Sequence, residues 1–144
     1  MVGCDSSSVN VVLEVAADTD ASLARLAELV SYRSVSSDSA HREDCSACCA
    51  HLASMLADLG FAVQTVTTKG HPALIACYEA AARTRCLFYG HYDVQPAGDE
   101  ASWSTPPFEM TIENGRVKGR GTCDNKGQLM TFVEALRAWK TATG

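Results

Sequence analysis

The sequence predicts an α/β fold in which helices flank a layered sheet, and three patterns carry that prediction. Apolar residues recur at helical spacing in three stretches, short runs rich in β-formers lie between the second and the third, and an Asn-Gly pair separates two further apolar segments. Helices alternating with short strands are the pattern of a layered α/β domain.

Residues 1–19 show no period beyond the apolar Val11, Val12, Leu13 and Val15, and are taken as a lead-in. Leu23, Leu26, Ala27 and Val30 then fall at i, i+3, i+4 and i+7, which predicts an amphipathic helix over 20–33 followed by a serine-rich loop over 34–39. A second helix over 41–59 follows from Cys45, Cys48, Cys49, Leu52, Met55, Leu56 and Leu59, with Gly60 as its stop signal. That spacing puts three thiols on the buried face. Strands are predicted over 61–67, 73–78 and 85–89 from their β-branched and aromatic content. Pro106 and Pro107 make 103–107 irregular. Asn114-Gly115 supplies the positive φ of a tight hairpin turn between 108–112 and 116–119. The last helix, over 125–140, is expected to bury Leu129, Phe132, Val133, Leu136 and Trp139. No repeat or linker interrupts 20–144, so one domain is expected there.

Composition narrows the function classes. With 47% hydrophobic and 20% charged residues the chain reads as globular. Twelve Lys and Arg against seventeen Asp and Glu, with the basic residues scattered, argue against a nucleic-acid partner. No apolar run approaches the roughly 18 residues of a membrane span, and the early stretch 9–17 contains Glu14 and lacks a basic leader. Seven cysteines are an odd count in a chain that needs no staples, which points to reduced thiols and a cytoplasmic, soluble protein without a membrane partner.

Two segments carry chemistry. In Leu87-Phe88-Tyr89-Gly90-His91-Tyr92-Asp93-Val94-Gln95-Pro96 an apolar strand ends in Gly and delivers a His and an Asp two residues apart. Ligands of open α/β sheets bind beyond strand carboxyl ends, and an imidazole there can hold a metal when its other nitrogen is fixed by a hydrogen bond, a part Asp93 could play. The bland alternative is a surface turn with one His. The second segment, Gly119-Arg120-Gly121-Thr122-Cys123-Asp124-Asn125-Lys126-Gly127, leads from the hairpin into the last helix. Asp124 there is either a good N-cap or a carboxylate that bridges cations with its two oxygens. A phosphate loop is disfavoured because the order of Gly and Lys does not match the P-loop.

Together, the run from Gly90 to Pro96, Trp103, Pro107-Phe108 and the run from Gly119 through Asp124, Lys126 and Gly127 resemble the M20 metallopeptidases. The resemblance implies a zinc-peptidase-like catalytic domain of which 20–144 is the N-terminal part. It implies that His91 ligates one of two divalent metal ions, zinc with manganese or cobalt as alternatives, that Asp124 bridges both, and that Asp93 orients His91. A cis peptide between Asp124 and Asn125 is also implied. The implied reaction is hydrolysis of the amide bond of dipeptides or small peptides. Tyr92 and Gln95 look more like the dipeptidase branch than the acyl-amino-acid deacylases, while Lys118 and Cys123 depart from the usual pattern. In that family the remaining ligands, a Glu-Glu pair with the general base, and a lid domain through which many members form homodimers come from later sequence. The chain by itself is therefore expected to be inactive. A different class of reading takes Cys45, Cys48 and Cys49 with His41 or His51 as a structural zinc site in a small interaction module. Helical periodicity explains the same cysteines without a metal.

Overall fold

A computed structural model describes residues 6–79 and 84–143. Helix α1 spans Ser6–Ala17, α2 Thr19–Ser31, α3 Arg42–Asp58 and α4 Lys126–Thr143, and the strands are β1 Ala62–Val66, β2 Ala73–Cys77, β3 Thr111–Glu113 and β4 Arg116–Lys118. Single 3-10 turns occupy Ser39–His41 and Glu100–Ser102.

The apolar stripes read from the sequence close on one another. Leu26, Leu29 and Val30 of α2, Cys48, Leu52 and Met55 of α3, Leu59 at the α3 C-cap, and Met130 and Val133 of α4 form one buried cluster. Cys45, Cys48 and Cys49 are all buried, as the spacing predicts, and burial pushes the Cys48 thiol up to about 11, so it stays protonated as a small apolar group. The histidines weighed as zinc partners are engaged elsewhere. His41 Nδ1 lies 2.8 Å from Asp44, and His51 faces Glu28 at 3.6 Å.

β1 and β2 form an antiparallel hairpin with Val63 opposite Ala76, and β3 and β4 form a second, with Ile112 opposite Val117. Asn114 at φ 52° and Gly115 at φ 71° make the sharp reversal that the Asn-Gly pair announces. The sheet is accordingly two small hairpins among the described residues.

Three expectations need correction. The lead-in is largely helix: α1 packs along α4, while residues 1–5 lie outside the described part. Residues 85–89, predicted as a strand, join no ladder among the described residues, and Leu87 is 97% exposed. The face of α4 is also rotated. Its buried residues include Met130, Val133, Glu134 and Ala138, whereas Leu129, Phe132 and Leu136 are half-buried and Trp139 is exposed. The cause is packing against α1 and α2, which leaves the predicted stripe to line a cleft where Phe132 stacks on Phe88 at 3.9 Å between ring centroids.

Glu134 can face inward because it is paired. Arg25 of α2 donates to its Oε1 at 2.8 Å and its Oε2 at 2.5 Å, Ser22 adds a bond at 3.0 Å, and Arg25 also reaches Asp18 between α1 and α2. Burial pushes the Glu134 carboxyl up, but the Arg25 and Ser22 hydrogen bonds outweigh it and hold it below the usual range. A carboxylate with a depressed folded value contributes stability above its unfolded value, and that contribution is lost as pH falls through the folded one. Arg25→Met leaves the buried carboxylate without its cation and should cost about 3 kcal/mol at neutral pH in urea unfolding. The gap between the two proteins should narrow as pH falls below the carboxylate range; a constant gap would refute this account.

Candidate metal centre

The segment 85–90 delivers His91 at its carboxyl end, and the loop before α4 brings Asp124 to meet it. His91 Nε2 and Asp124 Oδ1 lie 3.0 Å apart, close enough for both to hold one cation. On the other side of the ring, Nδ1 lies 3.1 Å from the Asp93 carbonyl and 3.2 Å from Asp93 Oδ1. Burial pushes the imidazole pKa down, but the Asp93 carbonyl and the Asp124 carboxylate outweigh it and the net shift is upward. With Nδ1 turned to Asp93, Nε2 faces Asp124 and is the ring nitrogen left for a divalent cation. Asp124 is exposed, and its hydrogen-bond partner is His91. The donor set of one imidazole nitrogen and one carboxylate suits zinc, manganese or cobalt. The peptide between Asp124 and Asn125 is cis.

Backbone and side chains from other elements hold these groups. Gly90 has no room for a side chain: a Cβ there would lie 2.5 Å from Leu129 Cδ2 and 2.9 Å from Asn125 Oδ1. The His91 amide donates to the same Asn125 Oδ1 at 3.3 Å. Val94 is bridged in parallel to Val35, Val94 N–H donates to Ser34 O at 2.9 Å, and Ser34 Oγ donates to Tyr92 O at 2.8 Å. Ser36 Oγ donates to Asp93 Oδ2 at 2.5 Å, so the carboxylate that steadies His91 is itself steadied. Tyr92 turns away from the pair and donates to Pro72 O at 2.5 Å.

The remaining motif residues pack the loop. Trp103 Nε1 donates to Ala97 O at 2.9 Å, the Arg120 guanidinium lies 5.1 Å from the Trp103 ring centroid, and Arg120 N–H donates to the carbonyl of buried Pro107. The Thr122 and Gly127 amides donate to Gly119 O and Gly121 O. These amides are engaged within the loop. Beside His91 a cavity of about 540 Å³ opens, with Leu52, Leu56, Leu74, Phe88, Leu129 and Phe132 among its lining. Ser36 and Asn125 were not singled out from the sequence. The alternating serines at 34 and 36 were the one signal available for the first.

The mixed α/β scaffold thus presents a histidine and a carboxylate to one point. Residues 87–144 match the model of peptidase family M20/M25/M40. The chain is 32% identical over 125 residues to a probable di- and tripeptidase of Saccharomyces cerevisiae, covering 77% of this chain and 14% of that protein. It is 38% identical over 120 residues to the succinyl-diaminopimelate desuccinylase of Aromatoleum aromaticum, covering 83% of this chain and 29% of that protein. The solved structure of the dipeptidase Dug1p from Saccharomyces cerevisiae superimposes with a TM-score of 0.86 at 27% identity, over 96% of this chain and 32% of that one. The chain thus spans less than a third of each.

Removing the Ser36 hydroxyl frees Asp93 and, through it, the His91 ring. Ser36→Ala should lower divalent-metal affinity about 10-fold, the scale on which partners of ligating groups act. The measurement is calorimetric titration of a form that carries the rest of the peptidase domain, and unchanged affinity would remove Ser36 from the site.

Proposed function

We propose that this chain supplies part of the metal centre of a hydrolase that cleaves the amide bond of dipeptides or small peptides. The 3.0 Å approach of His91 to Asp124, with the far side of the imidazole held by Asp93, carries this reading. In it His91 holds one divalent ion, Asp124 bridges two, and Asp93 orients His91. A bound pair of zinc ions, or of manganese or cobalt, supplies polarisation of the scissile carbonyl and an acidified water. The residues of this chain position and neutralise; none of them moves the reaction's protons. Asp93 keeps the Nδ1 side of the ring in place so that Nε2 would be directed at a cation, and the Asp124 carboxylate would help to hold the ions. The adjoining apolar cavity would take a peptide side chain.

The match to a desuccinylase favours a second reading, N-acyl-amino-acid deacylation, which uses the same bond-breaking chemistry. Parallel assays of a dipeptide and an N-succinyl amino acid on a form carrying the rest of the domain decide between them. A homodimer and a cytoplasmic location complete the proposal. The free thiols of the described residues support the latter. No described helix is long and apolar enough to cross a membrane.

Among the described residues no group of three or more His, Cys, Asp or Glu side chains converges as a metal site. Two ligands bind weakly and leave the geometry of a pair undefined. The 144-residue chain by itself should therefore hydrolyse no dipeptide measurably with zinc, manganese or cobalt added. In a form with the rest of the domain, His91→Ala should abolish activity and metal binding, whereas Cys48→Ser should leave both in place. Activity of the short chain that His91→Ala removes, or metal loss on Cys48→Ser, would overturn the assignment.

A further inference from the structure

Lys126 is fully buried and begins α4, two residues after Asp124. Its Nζ donates to Leu29 O at 2.9 Å and to Tyr32 O at 2.7 Å, carbonyls at the carboxyl end of α2. The end of a helix leaves such carbonyls without partners and favours a cation. A solvent-facing Lys on α2 itself would meet that need. Here the ammonium instead crosses the core from the turn that carries Asp124.

Each of the three consecutive residues of that turn reaches another part of the chain. Asp124 meets the His91 ring, Asn125 Oδ1 accepts from the His91 amide, and Lys126 anchors to α2. The turn is packed around the Lys126 stem with no slack. Gly121 sits at φ 90°, and a Cβ there would lie 3.1 Å from Lys126 Cδ and 2.8 Å from Val94 Cγ1. A Cβ on Gly127 would come within 2.1 Å of the Thr122 carbonyl oxygen. The segment that receives Lys126 at Tyr32 also holds the other half of the site, through Ser34 to Tyr92 and Val94 and through Ser36 to Asp93.

We propose that Lys126 is a positioning residue for the metal pair: by docking the Asp124–Lys126 turn on the end of α2, it sets the reach of the Asp124 carboxylate to His91. Its role in the reaction rests on the reading of His91 and Asp124 as metal ligands, while the geometry it sets can be measured without metal.

The test uses the 144-residue chain labelled with ¹⁵N, at one fixed pH. Two signals are followed: the ring-nitrogen shifts of His91, which report its tautomer and partner, and the broadening of His91 and Asp124 signals by Mn²⁺. Lys126→Met keeps the stem and removes the donors. It should keep the helical circular dichroism, lose the wild-type His91 ring shifts, and need at least 10-fold more Mn²⁺ for equal broadening. Lys126→Arg, which keeps donors, should restore part of both. Met55→Ala, buried in α3 away from the turn, serves as a stability control and should leave the ring shifts in place. Wild-type ring shifts in Lys126→Met, or the same change in Met55→Ala, would overturn the proposal. Should Lys126→Met fail to fold, urea titration of the wild type decides: the slowly exchanging Lys126 ammonium and the His91 ring signals should disappear together, and separate loss overturns the proposal. Wild-type ring shifts that show the Asp124 contact, with no divalent metal bound by a form that carries the rest of the domain, would refute the metal reading and leave the positioning role standing.

Discussion

The site depends on one short stretch of backbone, Tyr32 to Ser36, where α2 gives way to a loop. Its polar groups are used on both sides. Tyr32 O accepts from buried Lys126, Ser34 holds Tyr92 and Val94, and Ser36 holds Asp93. Buried polar groups are costly unless paired, so Ser34 can lie inside only with the loop that carries His91 docked on it. The reverse also holds, since the His91 segment has no sheet partner among the described residues before Val94 meets Val35. A loop between two helices therefore does the positioning that a strand ladder would otherwise perform.

How much of this was legible in the sequence follows from which physics each element obeys. Helices α2, α3 and α4 announce themselves because one face must be apolar, and the Asn114-Gly115 reversal because few residues accept its backbone. Residues 85–89 have the composition of a strand, but composition does not create a partner, and pairing is a property of two segments. The stripe on α4 was displaced because Glu134 is apolar in neither chemistry nor pattern, yet Arg25, far away in sequence, makes it buriable. Helix α1 was missed because its apolar residues are short of a full period.

At the site, the division is between residues named by motif and residues named by contact. His91, Asp93 and Asp124 were legible from spacing and resemblance, and the structure brings all three together. Ser36 and Asn125 were not, because a serine in a loop and an asparagine at a helix start have ordinary local uses that hide a long-range bond. Lys126 is the extreme case. A lysine at a helix start reads as surface charge, and only packing reveals it among the largest wholly buried side chains.

The segment ending at Tyr89 has no sheet partner among the described residues, and it sets exposed Leu87 and Tyr89 beside a cleft floored by apolar side chains of α3 and α4. Such an edge is open to strand addition, and a strand laid along it would cover the apolar cleft while leaving His91 at the end of the segment.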